Sequence, residues 1–374
     1  MKITLDRTPE QVELVKAMAS KNRDVAYEAQ TALAEFIGPV LAEVVNAAPT
    51  VSNMFTSLQF NSDESPSIPL DLYHDITDED YIQVWSQSVP GGLPTNQVAP
   101  SQSELKFTTY TLDSALSFDK RYASRSRLDV VSKTFTRMAQ EVLLKQEKTS
   151  ASMIMTALAN ASTNGEKHVI RSAQADRFLL SDLNKLFTKA KRINTAWTGG
   201  TPAERRGRGI TDLLVSPEIV EEIRGLAYNP INTKGTNTDI PGTDSMRDAI
   251  FNSAGIPEFY GVSIQEYNEM GDGQKWNSTF DVAAGNTEYD DHYAVGSSPA
   301  KTTFDGASEQ ILVGVDLSRE SMIRAVATDS ESGDEFSLVA DDQFVTRQSK
   351  IGYYGSLEEG RMIIDDRVLL GLIV

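Results

Sequence analysis

Apolar residues along this chain recur at helical spacing in two long stretches and cluster in short strand-like blocks elsewhere, a mixed α and β pattern. The first stretch follows Thr8-Pro9-Glu10-Gln11, where Thr8 caps, Pro9 suits the first helical position and Gln11 closes a capping box. Val12, Val15, Met18, Val25, Ala29, Leu33, Phe36, Ile37, Val40, Leu41 and Val44 then form one stripe. Gly38-Pro39 predicts a break or kink. Run straight, residues 9–47 would extend about 60 Å. They read either as an arm laid across other elements or as two ordinary core helices.

Residues 48–80 look irregular, with Ser65-Pro66-Ser67-Ile68-Pro69 as an extended strap. A long β-hairpin follows. Its outgoing arm is Tyr81-Ile82-Gln83-Val84-Trp85, and its tip is rich in proline and glycine from Ser88 to Pro100. Its return arm is Leu105 to Phe118. Arms of about a dozen residues give a ribbon reaching about 40 Å. A two-stranded ribbon is marginal alone in water, so it needs a surface to lie on, and a second copy of the chain supplies one. Ser126-Arg127-Leu128-Asp129 then opens the second long helix, with Leu128, Val131, Phe135, Met138, Val142, Ile154, Met155 and Leu158 inward and a stop near Asn164-Gly165.

Ser181-Asp182-Leu183 starts a further helix, and Arg205, Arg206 and Arg208 sit in an exposed loop. Leu213-Leu214-Val215 predicts a short buried strand running through Ser216-Pro217-Glu218 into a helix. Strand-like blocks return at 310–315, 323–327 and 336–340. The apolar terminus Val368 to Val374 should be held in a sheet, because exposed it would invite aggregation.

The 374 residues favour two or three packed units, and no apolar run approaches the roughly 20 residues needed to span a bilayer. There is no cysteine, which excludes disulfides and thiolate chemistry. Charge is unevenly placed: Asp212 to Asp342 holds 25 acidic and 7 basic residues, a net of −18, and the rest of the chain is neutral. Lys120 to Lys148 carries eight basic and three acidic residues, either a solvated face or one turned toward a polyanion. The charge balance is not that of a sequence-specific nucleic-acid binder. His74, His168 and His292 stand far apart and read as structural residues. No phosphate-binding loop, nucleophile elbow or zinc-protease motif is present. Asp329 to Glu335 lacks the final glutamate of a calcium loop, and the adjacent pairs Glu221-Glu222 and Asp290-Asp291 do not face one another as an acid/base dyad would.

In order, these elements resemble the tailed-phage major capsid proteins of the Hong Kong 97 type. The resemblance rests on the hairpin, the long helix, Leu213-Leu214-Val215-Ser216-Pro217-Glu218-Ile219, Gly255 to Ile264, and Gln348 to Val374 with Gly352, Gly355 and Gly360 at turns. It implies an α+β fold with an N-terminal arm over 1–75, an extended hairpin loop over 76–122, a peripheral domain with spine helix over 123–211, an acidic axial domain over 212–345 and return strands over 346–374. It implies a non-enzymatic protein without cofactor or metal. Copies would form pentamers and hexamers of an icosahedral shell around double-stranded DNA, in a virion assembled in the bacterial cytoplasm. Partners would be the chain itself, a portal, scaffolding or cement proteins and the packaged DNA, with no membrane. Trp85, Leu93, Leu105, Phe107 and Tyr110 would make the hairpin's contacts to a neighbour, and Arg125, Arg127, Lys133 and Arg137 would face the lumen. No propeptide is seen ahead of the arm, so cleavage-driven maturation is not carried over, and neither is cross-linking at Lys106 or Lys120. The alternatives are an encapsulin-like compartment, with the long arm favouring the virus, and an α+β hydrolase with an acidic pocket.

Overall fold

The computed structural model describes residues 8–46, 48, 50–69, 86, 91–92, 104–163, 165–193, 209–228, 261–290, 301–319, 321–328, 335–341 and 349–374. Its elements in chain order begin with helices α1 (Pro9–Met18) and α2 (Arg23–Asn46) and strands β1 (Thr56–Asn61), β2 (Ser67–Pro69), β3 (Glu104–Lys106) and β4 (Tyr110–Asp119). Helices α3 (Lys120–Ser124) and α4 (Leu128–Asn160) follow, then β5 (Ser162–Thr163), β6 (Glu166–Lys167), β7 (Val169–Arg171) and α5 (Leu180–Ile193). Next come β8 (Asp212–Val215), α6 (Pro217–Tyr228), β9 (Ser263–Glu266), α7 (Lys275–Ala284), β10 (Glu288–Asp290) and β11 (Lys301–Thr303). The last strands are β12 (Ile311–Val315), β13 (Met322–Thr328), β14 (Ser337–Asp341), β15 (Lys350–Ile363) and β16 (Leu369–Ile373).

The chain divides into two discontinuous units. Unit 1 is Met1–Ile68, Lys106–Ser150 and Met322–Met362, and unit 2 is Pro69–Leu105, Ala151–Ser321 and Ile363–Val374. Strands β13 and β14, which fall in the segment expected as axial, pair within the sheet of unit 1.

In unit 1 the sheet order is β1-β13-β15-β14, with β4 also paired to β15. β1 runs parallel to β13, and β4 runs antiparallel to β15 from Tyr110↔Glu359 to Asp119↔Lys350. The core joins Val15, Met18, Leu33, Ile37 and Leu41 of the N-terminal helices to Phe135, Met138 and Val142 of α4 and to Tyr353 and Leu357 of β15. Phe135 meets Tyr353 edge-on at 5.3 Å between ring centres, a favoured aromatic geometry.

Four expectations change here. The N-terminal segment is two core helices of unit 1 and not an arm, so its length no longer favours a virus over a compartment. Its break falls at Ala19–Asn22 and not at Gly38-Pro39. Ser20 Oγ accepts from the Asn22 amide at 3.2 Å and Asn22 Oδ1 from the Asp24 amide at 3.2 Å, which restarts the helix, while Pro39 sits on the exposed side of α2. The return arm of the hairpin is also not a free ribbon. From Tyr110 onward it is a strand of the unit 1 sheet, which shortens the reach estimated from sequence. The outgoing arm Tyr81–Trp85 lies outside the described residues. Gly352, Gly355 and Gly360 lie within the 14-residue strand β15 and not at turns.

Unit 2 is built on a mixed sheet in the order β7-β16-β12-β8-β9. The apolar C-terminal strand β16 sits inside it, parallel to β7 and antiparallel to β12, and every residue of β16 is buried. Helices α5 and α6 cover this sheet through Leu183, Leu186, Ile219, Val220 and Ile223. Ser216 caps α6: its Oγ accepts from the Ile219 amide at 3.3 Å, and Pro217 takes the first helical position.

Candidate functional site

In a strand buried on one face, alternate residues point inward, so Leu357, Glu359 and Arg361 of β15 fall together inside unit 1. Leu357 joins the apolar core, and the two charged residues must find partners or destabilise the sheet. Glu359 is fully buried and accepts from Tyr110 Oη at 2.9 Å, Gln146 Nε2 at 3.0 Å and Arg324 Nε at 3.0 Å. Arg361 also pairs with Glu359, and donates to Tyr110 Oη and to Ser52 Oγ. Arg324 reaches on to Asn46 Oδ1 at 3.3 Å. One carboxylate thus ties β4, α4, β13 and β15 together, and its two arginines extend the network to α2 and to the turn Val51–Met54. Burial pushes the Tyr110 phenol up to about 12; Arg361 opposes that shift, and Glu359 adds to it.

The long helix turns a different chemistry to solvent. Arg125 and Arg127 precede α4, Lys133, Arg137, Lys145 and Lys148 lie along it, and all six are exposed. None of the six forms an ion pair with a described residue. Lys133, Arg137 and Lys148 share one face with Leu144, which is 60% exposed. Lys133 to Lys148 spans about 22 Å along the axis.

The remaining polar sites lie in unit 2. His168 is buried, with Nδ1 3.1 Å from Leu369 O and 3.2 Å from Asp366 O and Nε2 2.7 Å from Thr163 Oγ1. The neutral ring protonated at Nδ1 satisfies all three contacts. Burial holds its pKa below the usual histidine value; Asp366 opposes the shift and Lys189 adds to it. The ring therefore fastens the start of β16, the structural role expected from sequence. Asp182, also buried, accepts from Ser172 Oγ and the Ala173 amide and pairs with Lys185.

Asp176, Glu218, Glu222 and Asp272 line a cavity of about 140 Å³ with Ile219, Gln310 and Val374. Burial raises the Asp272 carboxyl, Gln310 counteracts it, and Glu218 and Asp176 add to it. The cavity is smaller than the roughly 300 Å³ at which ligand pockets begin. No group of His, Asp and Glu among the described residues is placed to hold a metal ion.

The structure brings together only part of the site expected from sequence. Trp85 and Leu93 lie outside the described residues, and Leu105 is half-buried in β3. Phe107 is 6% exposed, and the half-buried Tyr110 is engaged by Glu359 and Arg361. Arg125, Arg127, Lys133 and Arg137 are exposed together, as a solvated basic face requires. The sequence reading missed Glu359, Arg361, Arg324 and Gln146. Its available signal was the alternation Leu357-x-Glu359-x-Arg361, which sets charges at the inward positions of a strand.

No family model matches the chain, and no curated protein does. Among solved structures it is similar to the capsid of the cyanophage P-SCSP1u, at 14% identity and a TM-score of 0.47, covering 85% of this chain and 86% of that one. It is similar to the capsid of an empty GTA particle at 10% identity and a TM-score of 0.48, covering 86% and 88%. It is also similar to the SrpI encapsulin of Synechococcus elongatus PCC 7942 at 10% identity and a TM-score of 0.44, covering 89% and 93%.

Proposed function

We propose that this chain is a shell-building subunit, a tailed-phage major capsid protein of the Hong Kong 97 type. The observation that carries the reading is the path of the chain. Its N-terminal helices belong to unit 1, and residues 70–103 intervene before β4 rejoins the unit 1 sheet. The 33-residue helix α4 then contributes Leu128–Ser150 to unit 1 and its remainder to unit 2. Strands β15 and β16 close one unit each. That order is the one the resemblance implies: loop, spine helix, axial segment and return.

In this reading the subunits assemble as pentamers and hexamers into an icosahedral shell enclosing double-stranded DNA, and the protein acts as architecture and not as a catalyst. Trp85, Leu93 and Leu105 contact a neighbouring copy, while Phe107 and Tyr110 anchor the loop to its own subunit. Interlaced loops would bury more than the roughly 1,600 Å² of a standard pairwise interface. The exposed face of Arg125, Arg127, Lys133 and Arg137 turns to the lumen, where its phosphate contacts are non-specific and weaken with salt. Portal, scaffolding or cement proteins complete the particle in the bacterial cytoplasm.

An encapsulin-like compartment is the second reading, because the N-terminal helices are part of the unit 1 core and leave no long arm to favour a virus. Nuclease-resistant DNA inside purified shells supports the capsid, and protein cargo without DNA supports the compartment. Deleting residues 88–103 should leave a folded subunit that fails to close shells; normal particles from that deletion would refute the loop's role.

A further inference from the structure

Residues 104–110 bring the chain back into the unit 1 sheet, and besides the pairing of β3 with β2 three contacts hold them. The Phe107 amide donates to Pro66 O at 3.0 Å. Thr108 passes so close to Gly360 that a Cβ at 360 would stand 2.9 Å from Thr108 O. Tyr110 then opens the ladder with β15 and gives its hydroxyl to the carboxylate that also binds Gln146 of α4.

We propose that Tyr110 is a positioning residue for assembly: through Glu359 it fixes where the loop leaves unit 1 and ties that point to the long helix. The hydroxyl is not needed to neutralise the buried charges, because Glu359 keeps Arg324, Arg361 and Gln146 without it. It is needed to register the loop's root on the sheet. Charge-assisted hydrogen bonds are the strong, directional ones, so this bond sets an angle as well as a distance. The proposal rests on the shell reading only for its assembly consequence.

Tyr110→Phe tests it by hydrogen–deuterium exchange on the unassembled subunit, followed by electron microscopy of particles. Amides of 106–112 should exchange about tenfold faster, the size expected for losing a hydrogen bond to a charged group, with β13 unchanged. Shells should become heterogeneous in diameter, while the subunit stays folded and loses no more stability than one hydrogen bond implies. Unchanged exchange at 106–112, acceleration spread evenly over the unit 1 sheet, or uniform shells of native diameter from the variant would each overturn it. If Tyr110→Phe does not fold, Gly360→Ala should loosen the same amides by pressing on Thr108, and unchanged exchange there would overturn the proposal. If the natural chain forms no shells, the shell reading fails while the exchange result still decides the role of Tyr110.

Discussion

Met138 of α4 and Gly355 of β15 meet with no space for a side chain at 355. A methyl group there would stand 2.2 Å from Met138 Cε and 2.7 Å from Phe336 Cζ. Both neighbours are themselves buried, so the glycine sets how closely the long helix packs on the sheet. Gly355→Ala should destabilise the protein by about 1–3 kcal/mol, the usual cost of overpacking a filled core. Urea melts check this, and combining it with Met138→Ala should cost less than the two changes summed because the two sites share one volume.

Glu359→Gln gives the second prediction. The substitution keeps the shape but takes from two guanidinium groups, those of Arg324 and Arg361, the carboxylate they share. Breaking a buried ion pair from one side costs about 3–5 kcal/mol. The variant should melt well below the natural protein, and equal melting temperatures would show that the cluster carries no stability.

Gln30 predicts a change of the opposite sign. It is fully buried on α2, and neither its amide nitrogen nor its carbonyl oxygen has a hydrogen-bond partner among the described residues. Exchanging it for methionine, of similar volume, removes an unpaired amide and should stabilise by about 1–3 kcal/mol. Calorimetry of Gln30→Met reads this directly, and a lower melting temperature would contradict it.

His168 makes stability depend on pH. Its pKa in the folded chain lies below the ordinary 6.5, chiefly through burial, so the unfolded chain takes up a proton first as the solution is acidified. Its contribution is complete above about pH 6.5 and is lost as the pH falls from there through the folded value. The groups facing it are Asp366, Lys189 and Thr163. Melts at pH 7 and pH 5 should therefore differ more for the natural protein than for His168→Asn, and equal slopes would contradict the assignment.

Periodic apolar spacing makes the long helices legible: the stripe from Leu128 to Leu158 predicts one helix with a stop near Asn164-Gly165, and α4 runs Leu128–Asn160. The strand–proline–helix step at Leu213 to Ile219 and the sheet-bound C-terminus were legible for the same reason, since each is set by local pattern. What pattern does not encode is pairing. Tyr110 to Asp119 alternate as any half-exposed strand does, and nothing local says that their partner is Lys350–Glu359, more than two hundred residues away. Pro39 predicts a break because its cost is local, whereas the packing that holds α2 through it is not. The Glu359 cluster joins segments from Asn46 to Arg361, and only the fold brings them together.

Whether many copies of this chain close on one another is measured most directly by expressing it alone and imaging the product by electron microscopy, with sedimentation on the same sample. Hollow closed particles tens of nanometres across, sedimenting as multi-megadalton assemblies, are the expected result. A homogeneous monomer at 41.0 kDa that stays single at high protein concentration would contradict it.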